Sequence, residues 1–248
     1  IVTNKFSDKA NIYTYDPVSR KFSDEPVFAH PDFDASGVIV SSAPSRFGRV
    51  LGFAYSAEVR KVEWVDPEVG AIMLGLEQAF SGQDVRAIHI SNDLNRIVFA
   101  TEASNQPPRY FILEDQAQLT AIGNERPWIN PQDIGQSKLV YYTARDGMKL
   151  PAILTTRAGW KPNDAPGKAI ILPHGGPWAR DYGGWDASAW VPFLTSRGFT
   201  VLHPQYRGSE GWGLDLWTAG DGKFGGVVQD DKDDGAAWLV NEGYAAED

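Results

Sequence analysis

Ile170-Ile171-Leu172-Pro173-His174-Gly175-Gly176-Pro177 is the stretch that most limits what this chain can fold into. Three long or branched apolar residues, preceded by Lys168 and Ala169, read as the end of a buried strand. His-Gly-Gly-Pro cannot continue that strand. Two adjacent glycines leave backbone N–H groups uncovered by any Cβ, so a ligand atom can approach them closely. Pro177 fixes the exit of the turn. A bare loop at the carboxyl end of a buried strand is where open α/β sheets bind ligands. An ordinary glycine turn between a strand and a helix could carry the same residues, and the residues downstream of Pro177 decide between the two.

From this stretch onward the pattern is β-loop-α-β-α. Trp190, Phe193 and Leu194 stand at i, i+3, i+4 on a helix whose first turn accepts Pro192, and Gly198 is placed to end it. Phe199-Thr200-Val201-Leu202-His203 reads as a second buried strand. Val227 to Glu242 reads as a helix with Gly235, Trp238 and Leu239 inward and Gly243 as its cap. Strands alternating with helices predict a parallel α/β sheet. Just upstream, Leu139 to Thr143 and Leu150 to Leu154 flank Asp146-Gly147, a strong hairpin signal.

Residues 1–125 read differently. Asn11 to Tyr15, Gly37 to Ser41, Val50 to Tyr55 and Lys61 to Val65 are short β-propensity runs bounded by Pro, Gly, Asp and Asn. One helix interrupts them, Glu68 to Phe80, with Ile72, Leu76 and Phe80 on one face. Four further runs follow: Val85 to Ile90, Arg96 to Ala100, Arg109 to Leu113 and Gln118 to Ile122. Four short antiparallel strands in a row have the count of one propeller blade. A β-sandwich also fits this half. Pro127-Trp128-Ile129-Asn130-Pro131 reads as a linker docked by its Trp.

The chain has 248 residues, 42% hydrophobic and 22% charged, room for one large or two modest domains with a sizeable core. Its formal net charge of -9 argues against a nucleic-acid backbone as partner. No stretch approaches the roughly 20 apolar residues a membrane helix needs, so no membrane partner is expected. The absence of Cys excludes disulfides, thiolate metal sites and a Cys nucleophile, and leaves the compartment open. Ile1-Val2-Thr3-Asn4-Lys5 has neither an initiator Met nor an apolar leader, and reads as the start of a mature or internal fragment.

Five stretches stand in a telling order: Tyr142-Thr143-Ala144-Arg145-Asp146-Gly147, His174-Gly175-Gly176-Pro177, Ser196-Arg197-Gly198-Phe199, Tyr206 to Gly213 (Tyr-Arg-Gly-Ser-Glu-Gly-Trp-Gly) and Gln229-Asp230-Asp231. Over residues 138–248 the chain thereby resembles the start of the catalytic domain of the prolyl oligopeptidase family of serine peptidases. The acylaminoacyl-peptidase and dipeptidyl-peptidase-like branch is the nearest in pattern. Members usually have Tyr-Gly where Trp212-Gly213 stands and often Trp-Gly where Phe224-Gly225 stands, both aromatic-for-aromatic changes.

The resemblance implies a mixed β and α/β fold. Residues 1–125 would be the C-terminal blades of a β-propeller. Residues 126–248 would be a linker and the N-terminal part of an α/β-hydrolase domain. It implies a serine peptidase that cuts short or acylated peptides through an acyl-enzyme, with no cofactor and no metal. The implied partners are a peptide substrate and the remaining C-terminal part of the same protein; homo-oligomers are left open. A carboxylesterase on the same scaffold and a non-catalytic propeller binding module are the alternatives.

In this family the loop matching His174 to Pro177 supplies an oxyanion-hole N–H. By motif position Gly176 is the donor, beside the equally bare Gly175, and His174 shapes the loop. The catalytic His of α/β-hydrolases follows the nucleophile in the chain. Ser209 is a tempting nucleophile, but an elbow needs G-x-S-x-G and Arg207 occupies the upstream Gly position. No other Ser of the chain satisfies the pattern. Ser209 therefore reads as part of a structural turn in which Arg207 makes ionic or hydrogen-bond contacts. The nucleophile is expected about 10–15 residues beyond Asp248, the acid and His following it, so that this chain is a fragment without the triad. Asp230, Asp231, Asp233 and Asp234 read as a solvated first helix turn favoured by the helix dipole, rather than a metal site. His30 and His89, without metal-spaced partners, read as surface or packing residues.

Overall fold

A computed structural model describes residues 1–247. The first half is built of short antiparallel sheets. β1 (Val2–Thr3) pairs with β2 (Asn11–Ile12), and β3 (Tyr15–Asp16) with β4 (Lys21–Phe22). The run expected from Asn11 to Tyr15 is thus two separate pairs. β5 (Ala35–Val40), β6 (Val50–Ser56) and β7 (Arg60–Trp64) form a three-stranded antiparallel sheet.

Helix α1 (Pro67–Ala79) starts on Asp66, whose Oδ1 accepts from Glu68 N and Val69 N, and carries Pro in its first turn. Its buried residues are Val69, Met73 and Leu76, with Ile72 and Phe80 half-buried. The expected stripe of Ile72, Leu76 and Phe80 is therefore rotated toward Val69 and Met73. The cap and the Arg49–Asp66 ion pair at 2.7 Å hold the helix start, and with it the rotation.

Four strands follow in sequence order as one antiparallel sheet, β8 (Asp84–Ile90), β9 (Arg96–Ala103), β10 (Gln106–Glu114) and β11 (Gln118–Asn124). This agrees with the four predicted runs. β10 tolerates Pro107 and Pro108 because its register shifts between Gln106 and Arg109, at a bulge where ladder donors are not needed. Phe99, Phe111, Ile97 and Leu51 close a core against α1.

Trp128 does not dock the connecting segment; it is 75% exposed. The segment is held instead by the Asn105 side-chain amide donating to Pro131 O at 3.1 Å and by burial of Ile134.

The second half is a mixed sheet in the order β12 (Ser137–Thr143), β13 (Lys149–Thr155), β15 (Phe199–Pro204), β14 (Lys168–Ile171). Asp146-Gly147 turns β12 into β13 as predicted, with Gly147 at φ +90°. β14 and β15 are parallel, in register Ile170 with Val201 and Ile171 with Leu202. The crossover between them carries α2 (Trp190–Ser196), which Gly198 ends at φ +88°.

Two readings of this half are corrected. β14 lies at an edge of the sheet, and its apolar residues are half-buried rather than buried. On α2 the inward residues are Val191, Pro192 and Thr195, while Trp190 is 62% and Phe193 53% exposed. Seven residues fit an apolar stripe on either face. Asp186 decides, because its Oδ2 accepts from Val191 N at 2.9 Å and sets the helix rotation.

α3 (Leu214–Thr218) is short, and α4 (Val227–Asn241) packs Val228, Gly235 and Leu239 inward, with Trp238 half-buried. A Cβ on Gly235 would lie 3.1 Å from Leu202 and 3.4 Å from the Tyr142 ring, so glycine sets how closely α4 approaches the sheet. No helix among the described residues is long and apolar enough to cross a membrane.

Candidate functional site

β14 delivers the chain to the glycine loop. Leu172 N still donates to Leu202 O at 2.9 Å, continuing the parallel pairing one residue past the strand, and Pro173 then stops it. Gly175 and Gly176 are both exposed. A Cβ on Gly175 would meet nothing within 4 Å. Gly176 sits at φ +124°, where a side chain is strained, and a Cβ there would come 2.8 Å from Trp178 N.

His174 organises the loop from beneath. Its ring stacks on Tyr206 with centroids 4.5 Å apart. Its Nδ1 lies 2.7 Å from Gly175 O, and its Nε2 lies 2.8 Å from Ser209 Oγ. The Tyr206 hydroxyl donates to His174 O at 2.6 Å. Burial pushes the imidazole below its usual value, so it is neutral at neutral pH. A carbonyl facing Nδ1 requires the proton there, while the Ser209 hydroxyl donates to Tyr206 O at 2.7 Å.

This bond also aims the next amide. In a trans peptide the C=O and N–H point in opposite directions, and no peptide among the described residues is cis. Holding Gly175 O against His174 therefore turns Gly176 N–H away from the ring. No described residue accepts a hydrogen bond from it.

The turn after β15 supports the loop from the other side. Tyr206 and Arg207 are buried, and Ser209 is 0% exposed. A substrate carbonyl has no path to Ser209 Oγ, whose neighbours are His174 Nε2 and Tyr206 O. Ser209 is a turn residue, as its sequence context implies.

Arg207 makes the predicted ionic contacts. Its Nη1 and Nη2 reach the Asp146 carboxylate at 2.6 and 2.8 Å, and its Nε and backbone N donate to Asp231 at 3.0 Å each. Asp231 is fully buried, which corrects the expectation of a solvated acidic turn. Burial raises its carboxyl, and the Arg207 bonds work against that rise. Asp230 and Asp234 are paired on the surface with Arg145 at 2.9 and 2.8 Å. No group of three or more His, Asp and Glu among the described residues could hold a metal ion.

His30 stacks on Tyr55 at 4.8 Å and His89 is exposed; neither is near the loop's contacts. The roles of Tyr206 and Arg180 escaped the sequence reading. Nothing in Tyr206's spacing shows that it would stack under His174. Arg180 and Asp181 line a cavity of about 340 Å³ together with Trp185 and His203, whose Nδ1 lies 3.1 Å from Asp181 Oδ2.

The fold and loop define an α/β sheet with an exposed, glycine-bare amide at the carboxyl end of a parallel strand. Comparison with known proteins shows what the chain is similar to. Residues 185–248 match the Prolyl oligopeptidase family. Dipeptidyl aminopeptidase BIII of Pseudoxanthomonas mexicana is 32% identical over 206 residues, covering 79% of this chain and 29% of that protein. A Mycobacterium tuberculosis puromycin-hydrolyzing peptidase superposes with a TM-score of 0.68 at 16% identity, over 99% of this chain and 37% of that one. A structure from a study of two prolyl endopeptidases superposes with a TM-score of 0.67 at 16% identity, over 98% and 35%. At these identities the structural likeness is one of fold. Residues 185–248 thus carry the match to the prolyl oligopeptidase family, and the chain is similar to a dipeptidyl aminopeptidase. It spans 29% of the length of its dipeptidyl aminopeptidase relative.

Proposed function

We propose that this chain is the oxyanion-loop part of a serine peptidase that hydrolyses short or acylated peptides. Residues 1–125 are a portion of a β-propeller, and residues 126–248 are a linker and the first part of an α/β-hydrolase domain. A serine outside these residues attacks the scissile carbonyl. A histidine takes its proton and passes it to the leaving amine, and an aspartate orients the histidine. As the carbonyl carbon becomes tetrahedral its oxygen gains negative charge, and Gly176 N–H donates to it, with Gly175 leaving the approach clear. The dipeptidyl aminopeptidase relative supports the reaction class. The observation that carries the proposal is the His174 bond to Gly175 O, which turns the Gly176 amide out of an exposed loop.

The test is Gly176→Val in the complete protein. A branched side chain at φ +124° moves the amide and crowds the oxyanion. The expected outcome is a loss of about 10²–10³ in kcat with little change in KM, because the donor acts in the transition state. A folded variant with unchanged kcat/KM would overturn the role of the loop.

A further inference from the structure

Arg180 follows the glycine loop by four residues and leaves its own half of the chain. Its Nη1 donates to Ser56 O at 2.8 Å and its Nη2 to Ala57 O at 2.5 Å, the carbonyls that begin the turn between β6 and β7. Gly183 N donates to Glu58 O at 2.7 Å, so the same turn is gripped twice. The guanidinium lies over the rings of Tyr182 at 4.4 Å and Trp212 at 4.6 Å. No described carboxylate lies within ion-pair distance of it, and burial lowers its pKa. A half-buried cation held by two carbonyls and two ring faces is oriented by direction, not only by charge. Gly211 makes room for it: a Cβ there would lie 2.2 Å from Nη1.

The link from Arg180 back to Gly176 is short and stiff. Only Pro177, Trp178 and Ala179 intervene. Pro177 is buried against Gly208, where a Cβ would come within 2.7 Å of it. Ala179 N donates to Pro177 O at 2.7 Å, and Ala179 O accepts from Glu210 N at 2.9 Å. A shift at the Ser56–Ala57 turn therefore has little slack to be absorbed before it reaches the Gly176 amide.

We propose that Arg180 is a positioning residue that makes the geometry of the Gly175–Gly176 loop conditional on the seating of the β6–β7 turn. The amide is held on target only while the first half is docked. This rests on the oxyanion role of Gly176.

The experiment is a double-mutant cycle in the complete protein with peptide substrates. Arg180→Met keeps the stem and removes both donors. It is expected to lower kcat by roughly 10–100-fold with KM changed less than about threefold, as a displaced donor does. Arg180→Lys, which reaches one carbonyl, is expected to recover part of the loss. In a Gly176→Val background, Arg180→Met should add less than about threefold, because the donor it positions is already lost. If Arg180→Met leaves kcat intact, or has its full effect in both backgrounds, the positioning role is overturned while the oxyanion reading stands. If Gly176→Val itself leaves kcat intact, the oxyanion reading falls and this inference with it. Should Arg180→Met not fold, Arg180→Lys carries the same cycle with a drop on the order of 3–10-fold.

Discussion

Gly208, Gly211 and Gly213 are glycine for three different neighbours. A Cβ on each would collide with Pro177, with Arg180 and with Asp8 respectively, at 2.7, 2.2 and 2.2 Å. All three also have positive φ, so the turn needs glycine twice over. His174 beside it is the residue whose state matters most to the loop. With burial holding its pKa down, its neutral form contributes stability that is complete above about pH 6.5, the unfolded value, and declines as pH falls below that. Nitrogen-15 NMR should therefore find the proton on Nδ1 and a titration below about 6.5. An Nε2–H tautomer would contradict the assigned bond to Gly175 O.

Helix α4 is attached to the sheet by charge as well as by Leu239. Arg207, 5% exposed, sits between Asp146 and the fully buried Asp231, and the Tyr142 hydroxyl donates to Asp231 O at 2.7 Å. Removing the cation leaves Asp231 buried without its partner. Arg207→Met is expected to cost about 3–5 kcal/mol in denaturant unfolding. Asp146 behaves differently because it faces solvent. Its bond with Arg207 holds its carboxyl down to about 2. Its contribution is thus present above the usual carboxylate value of about 3.9 and lost as pH falls through about 2. Asp146→Asn should lower the melting temperature near neutral pH, and the difference from the unsubstituted chain should close near pH ~2. A difference that persists there would mean that the charge is not what Asp146 contributes.

The two halves meet through several separate contacts. Asp34 accepts from Gly213 N, Asp8 accepts from Asp215 N, Phe33 packs edge-on to Trp212 at 5.3 Å, and Ser104 Oγ accepts from Ser137 N. With Arg180 these contacts tie residues of the first half to both the glycine loop and the turn after β15. Trp128 marks an exposed stretch of the connection. Limited proteolysis there should give two pieces that still elute together on size-exclusion chromatography. Separation of the pieces under native conditions would show that the connection, and not the interface, holds the halves together.

The order of elements was readable from the sequence because its causes are local. Asp146-Gly147 makes a hairpin, Gly198 and Gly243 take positive φ at helix ends, and four β-propensity runs pair in sequence order, all within a few residues of chain. The bare Gly175-Gly176 loop after β14 was readable for the same reason. Facing and charge state were not. Trp190 and Phe193 fit an inward stripe as well as Val191 and Thr195 do, until Asp186 sets the rotation of α2. Asp231 looks like any first-turn carboxylate until Arg207, 24 residues away, closes on it. Arg180 looks like a surface arginine until Ser56, 124 residues away, offers its carbonyl. Short-range torsional and capping preferences act on the chain before it folds, whereas desolvation and directional bonding between distant groups exist only once packing has brought them together.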